Sequence, residues 1–157
     1  MLSLRRIGVI AAAVVLAFAI GFGVRGLGPR EAFGHSCSAT DRRFIKTATT
    51  NMTALGMWAE GYRSGDIEAD EVAAQASAAA RRIVYAKPRD PALRQAQRLM
   101  DAMFTEYGAA VVLAEKEQRR AGEHMHRAYG LANFAREVLV AARPGLAKQG
   151  CDVAPLL

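Results

Sequence analysis

Histidine, cysteine and tryptophan are scarce in this chain, at three, two and one among 157 residues, and each scarcity removes a class of chemistry. Three histidines cannot supply the two Glu-x-x-His motifs that a carboxylate-bridged di-iron bundle needs beside two further inward glutamates. The two cysteines, Cys37 and Cys151, stand far outside any zinc-type spacing. There is no Gly-x-Ser-x-Gly elbow, and no glycine-rich phosphate loop follows a predicted strand. The sequence offers no residue set for an enzyme and no cofactor motif.

Against these absences stands one long apolar run. Residues 7–24 read IGVIAAAVVLAFAIGFGV, without charge or proline, between Arg5 and Arg6 on one side and Arg25 and Arg30 on the other. As a helix this run measures about 27 Å, close to the hydrocarbon thickness of a bilayer. The expectation is a transmembrane signal anchor over residues 1–26, a glycine-rich tether over 27–36, and a single exported domain over 37–157. A cleaved signal peptide and a lipidated Cys37 are the alternatives. The apolar core exceeds the usual length of about 7 to 15 residues for a cleaved signal, and Cys37 lacks the apolar residue three positions earlier that lipoprotein signals carry.

The formal charge of +6 invites a nucleic-acid reading that its distribution does not support. All fifteen acidic residues lie from Glu31 onward together with seventeen of the twenty-one basic ones, so the excess sits mainly on the membrane flanks. That is a topology signal and not a phosphate-binding footprint, and no nucleic-acid partner is expected. Two arginines on each side leave the orientation balanced. A Cys37–Cys151 bridge would break the tie, because disulfides persist in oxidising compartments. The short N-terminus is then cytoplasmic and the domain extracytoplasmic, in a single-pass cell-membrane protein.

Beyond the tether the pattern is helical throughout. Ser38 and Asp41 resemble a capping box with a shortened acid. The helix they open carries Ile45, Ala48, Met52, Leu55, Ala59 and Tyr62 at alternating spacings of three and four and ends near Arg63. Ser64, Gly65 and Asp66 form a turn, with Ile67 placed to staple the next helix. That helix is acidic at its start (Glu68, Asp70, Glu71) and basic at its end (Arg81, Arg82, Lys87), complementing its dipole. Its stripe is Val72, Ala76, Ala79, Ile83 and Ala86, and Pro88 stops it. Asp90 followed by Pro91 is the sharpest start signal in the domain. The stripe after it is Leu93, Met100, Phe104, Tyr107, Val111 and Ala114, with polar Gln97 in one place of the register.

Two architectures compete from there. The register runs on through Ala114, Gln118, Ala121 and Met125, so residues 91–143 could form one helix of about 80 Å in a three-helix arrangement. Alternatively the chain reverses near residues 120–123, beside Gly122, giving an all-α, up-down-up-down four-helix bundle. In both, a stripe of Met125, Ala128, Ala132, Ala135, Leu139 and Ala142 runs to a stop at Pro144 and Gly145. Only the hairpin returns Cys37 and Cys151 to one end, within reach of a bond, and the four-helix bundle is the expected fold.

In that bundle the membrane-proximal end gathers Arg42, Arg43, Lys46, Arg81, Arg82, Lys87, Arg89, Arg94, Arg98, Arg143 and Lys148. Arg42, Arg43, Arg81, Arg82 and Arg89 are the candidate contacts for anionic headgroups, each contributing about 1 kcal/mol at the surface; the competing reading is ordinary solvated charge. Glu123, His124 and His126 are the candidate metal ligands, with copper the suitable ion because methionine sulfur lies nearby in sequence. Against this, His124 and His126 do not share a helix face, and heptad methionines usually fill core gaps. Trp58, Tyr62, Tyr129 and Phe134 suit either a ligand pocket or a core. The expected function is non-enzymatic: a membrane-anchored structural or protein-interaction module of the cell envelope. The alternative is an exported binder of a small ligand or copper.

Overall fold

The computed structural model describes residues 36–157, so the apolar run over residues 7–24 and most of the tether lie outside the described residues. Among the described residues there are four helices, a closing 3-10 turn and no strand. The helices are α1 (Ala39–Ser64), α2 (Ala69–Tyr85), α3 (Pro91–Leu113) and α4 (Gln118–Lys148), and consecutive helices pack side by side as a helical bundle. None is long and apolar enough to cross a membrane. The long continuous helix does not form.

Each helix begins and ends for local reasons. The Ser38 hydroxyl accepts the Asp41 N–H at 3.1 Å and opens α1. The Asp90 carboxylate accepts the Ala92 and Leu93 N–H groups at 2.8 and 3.2 Å, with Pro91 at the first helical position of α3. At the end of α1, Gly65 takes a φ of +86°, and the Gly65 and Asp66 N–H groups return to the carbonyls of Tyr62 and Gly61. This is the two-bond closure that a left-handed residue permits. Ile67 then folds back onto α1 so closely that a Cβ on Gly61 would lie 2.5 Å from Ile67 Cδ1.

The expected stripes supply most of the core. Every member of the α2 stripe is buried, as are Leu93, Met100, Phe104, Tyr107 and Val111 on α3. On α1, however, Phe44 is fully buried, and Asn51 occupies the inward place beside Met52, which is only partly covered. Asn51 is accommodated because its amide donates to the Thr47 carbonyl at 2.7 Å and its oxygen faces Arg82 Nη1 at 3.4 Å. Gln97 is more than a polar member of the register. Its amide nitrogen donates to the Ile83 and Val84 carbonyls at 2.8 and 3.0 Å, satisfying the end of α2, where Pro88 precludes further helix.

Two boundaries differ from the sequence expectation. The reversal between α3 and α4 lies at residues 114–117, where the Lys116 and Glu117 N–H groups both return to the Leu113 carbonyl. Ala121 is fully buried, so the chain must already be helical there, whereas Glu115, Lys116 and Glu117 can all remain in water. Gly122 sits inside α4 facing open space, and the unbroken register across the turn carries no structural meaning. At the other end, α4 continues through Pro144 to Lys148. Val140 and Pro144 both face solvent, so the carbonyl that loses its N–H partner can be hydrated. Continuing the helix brings Leu146 into the core. Gly150, at φ +74°, then closes it through bonds from Gly150 to Ala147 and from Cys151 to Leu146, both 2.9 Å.

Cys151 is bonded to Cys37, with their Cα atoms 5.0 Å apart across 114 residues of sequence. The residues after it lie across α1 and α4: Val153 and Leu156 are buried, the 3-10 turn (Ala154–Leu156) packs on α1, and Arg136 on α4 donates to the Leu157 carbonyl at 3.0 Å. Replacing both cysteines with serine should lower unfolding stability by about 3 kcal/mol, since the bridge closes a loop of over a hundred residues in the unfolded chain. A denaturant titration showing a loss below about 1 kcal/mol would mean that the unfolded ends are already held together. Pro144→Ala should raise stability by about 1 to 2 kcal/mol by restoring the bond to Val140, net of the entropy regained by the unfolded chain; an unchanged or lower Tm would refute that account.

Candidate functional site: the basic end of the bundle

Asp41 assembles this end of the molecule. Its side chain is 4% exposed, and one carboxylate oxygen accepts the backbone N–H groups of Arg89 and Asp90 at 2.7 and 3.1 Å, while the other accepts the Ser38 hydroxyl. The residue expected only to cap α1 therefore also pins the α2–α3 connection against the start of α1. Burial pushes its carboxyl up, but the hydrogen bonds from the Ser38 side chain and from the Asp90, Arg89 and Ser38 backbones outweigh it and hold the group below its ordinary value of 3.8. Just before the pinned residues, Lys87 takes a left-handed φ of +44° ahead of the buried Pro88. Proline disfavours the right-handed helical region for its predecessor, and the fixed residues on the far side keep the turn in place.

The disulfide does for α4 what Asp41 does for the α2–α3 connection. Together they place the start of α1, the α2–α3 connection, the start of α3 and the end of α4 at one end of the bundle; α2 itself stops short of it, with Gln97 on α3 reaching the Ile83 and Val84 carbonyls and Arg82 lying beside Asn51 on α1. All eleven cations expected there are exposed: Arg42, Arg43 and Lys46 on α1, Arg81 and Arg82 on α2, Lys87 and Arg89 in the connection, Arg94 and Arg98 on α3, and Arg143 and Lys148 on α4. None forms an ion pair among the described residues.

The charges near the two opposite turns are arranged differently. Glu60 pairs with Arg63, Glu117 with Arg120 at 2.7 Å, and Glu123 with Arg119 at 3.7 Å, all within one helical turn. These exposed pairs contribute little to stability. Their effect is to offset positive charge locally, and among the described residues no such pair forms at the basic end.

The three candidate metal ligands are not brought together. Glu123 faces Arg119, His126 is exposed, and His124 turns towards α3, where Nδ1 lies 2.7 Å from Glu106 Oε2. Arg127 Nε donates to the same Glu106 oxygen at 2.8 Å. Burial raises the Glu106 carboxyl, but the bonds from Arg127 and His124 prevail and lower it. Among the described residues no group of three or more His, Cys, Asp or Glu side chains is arranged to hold a metal ion.

Nor do the four aromatic residues converge on one pocket. Tyr62 is buried, Trp58 packs against the core, and Phe134 is 59% exposed. Tyr129 lines a cavity of about 60 Å³ with Met52, Met100 and Met103, beneath Leu156 and Leu157. A shallower hollow of about 380 Å³ lies between α2 and α3, where Arg81, Tyr85 and Asp101 surround Gly108. Comparison with protein families, with characterised proteins and with solved structures finds no match to this chain.

Asp41→Ala should cost about 3 kcal/mol, because two backbone N–H groups lose a charged acceptor, and Asp41→Asn should cost less because an amide oxygen can still accept. The folded-state pKa of Asp41 lies below its unfolded value, so its stabilisation is complete above that unfolded value and disappears as pH falls through the folded one. Thermal melts from neutral pH downward should therefore show the wild type losing, below about pH 4, an increment that Asp41→Asn lacks. Parallel pH profiles for the two proteins would rule out this role for the carboxylate.

Proposed function

We propose that this chain is a single-pass membrane protein of the cell envelope: a transmembrane signal anchor over residues 1–26, a tether over 27–36, and an exported up-down-up-down four-helix bundle over 37–157 that acts by contacting other proteins. The observation that carries the reading is the Cys37–Cys151 bridge. A structural disulfide suits an extracytoplasmic compartment, and this one lies at the point where the domain meets its tether, so the anchor's C-terminal flank is on the same side. The apolar run supplies the anchor. The end opposite the tether is the surface available to partners; its two connections carry Asp66, Glu68, Glu115, Lys116 and Glu117, all exposed.

The reading asks nothing of the domain but shape and charge. The buried Tyr107 hydroxyl is pushed up to about 12 by its surroundings and stays protonated at neutral pH, and both cysteines are bonded.

In intact membranes, alkylation should label Cys37 and Cys151 only after reduction, in a monomeric species that resists extraction by alkaline carbonate. Affinity purification from detergent extract should recover a specific partner, and changing Glu68, Glu71, Glu115 and Glu117 to lysine should abolish its recovery without altering helicity. Thiols that react before reduction, or a chain released by carbonate, would overturn the exported and anchored parts of the proposal respectively. A partner retained equally by the charge-reversed protein would move the interaction surface elsewhere.

A further inference from the structure

The membrane-tethered reading above has a consequence for the unpaired cations, and we propose that the basic end of the bundle is a seat for anionic lipid headgroups that holds the domain upright on the bilayer. The inference rests on that reading and adds the partner, the residues and the orientation.

Three observations support it. The first is distribution: Arg42, Arg43, Lys87, Arg89, Arg94 and Lys148 come from three helices and from the α2–α3 connection, so they surround the end of the bundle instead of following one helix face. A ring around a blunt end matches a plane of charge better than a rod or a peptide strand. The second is composition. Most of the collar is arginine, whose planar guanidinium binds phosphate oxygens in a bidentate way. The third is position. Cys37 sits at this same end, fixed to the terminus of α4, and the twelve residues between Val24 and Cys37 span at most about 43 Å even fully extended. Any domain so tethered samples the bilayer surface at high effective concentration, so many weak contacts suffice where a free protein would need strong ones.

Pairing with carboxylates is commoner away from the collar than within it, although Lys116 and Arg136 also form no ion pair among the described residues. Elsewhere on the bundle, exposed Arg63, Arg119, Arg120 and Arg127 each have a carboxylate partner. In the collar, the side chains of Arg42, Arg89 and Arg94 have none among the described residues; of the carboxylates at this end, Asp41 is buried and accepts backbone N–H groups, and Asp90 and Asp152 accept the N–H groups of Ala92, Leu93 and Ala154. The charge is left facing outward. Because exposed charges are screened over about 8 Å at physiological ionic strength, the contact must be close and salt-sensitive.

The test uses the full chain reconstituted into vesicles of phosphatidylcholine alone, or of phosphatidylcholine with phosphatidylglycerol, and reads arginine modification by phenylglyoxal with mass spectrometry. Arg42, Arg89 and Arg94 should react about fivefold more slowly in the anionic vesicles. High salt should remove the difference, and Arg63 and Arg119 should react equally in both. Reversing Arg42 and Arg43 to glutamate, with helicity preserved, should deprotect Arg89 and Arg94. Equal rates in the two vesicle types would overturn the proposal, as would protection already complete on phosphatidylcholine. Protection confined to native membranes and absent from pure anionic lipid would assign the collar to an acidic protein and overturn it too. Flotation separates the underlying reading: a chain that floats with neutral vesicles is anchored whatever its arginines do, and one that floats only with anionic vesicles retains the seat without the anchor.

Discussion

One buried carboxylate sets the geometry of the end of this molecule where Cys37 and Cys151 join. Asp41 lies in the first turn of α1, yet two of its hydrogen-bond partners belong to residues almost fifty positions later in the chain. A carboxylate removed from water must be compensated, and here backbone N–H groups at the start of α3 do so, having no helical partners of their own. The arrangement satisfies both sides at once. It also forces α1 to begin where α2 has ended and α3 begins, and the disulfide adds the end of α4 to that junction.

The charge distribution follows from this junction. Cations that are scattered in sequence from Arg42 to Lys148 become one collar because the starts of α1 and α3, the α2–α3 connection and the end of α4 are held together. Several of them are where helix electrostatics favours them, at the C-terminal ends of α2 and α4. Those at the beginnings of α1 and α3 have no such rationale. Their clustering with the others is the observation from which the lipid-seat proposal grows, and the tethered module proposed above gives it a membrane to meet.

Much of the fold is legible from residue pattern. The stripes on α2 and α3 predict the buried faces, and Ser38, Asp90 and Pro91 mark true helix starts because capping chemistry is local. Periodicity misleads where two helices happen to share a register across a turn. Nothing in the spacing of Ala114, Gln118 and Ala121 reveals that the chain reverses between the first two, since the break is decided by three consecutive charged residues reaching water. Pro144 misleads for the opposite reason: a usual helix terminator is tolerated on a solvent-facing stretch when the next turn buries Leu146 and positions Cys151. The candidate ligand group fails for a simpler reason. His124 and His126 lie on different faces of one helix, Glu123 pairs with Arg119, and the partner of His124 is Glu106, eighteen positions earlier on α3.

By itself, the sequence determined what local physics controls: helical periodicity, the caps, the charge balance of each segment, and an apolar run of membrane-spanning length. Only the tertiary structure decided which residues from distant segments meet. It alone gave Asp41 its partners on the α2–α3 connection and turned Gln97 into the cap of α2. Those contacts depend on how helices of different length stack and where they reverse, and stacking is fixed by the whole core rather than by any window of the chain.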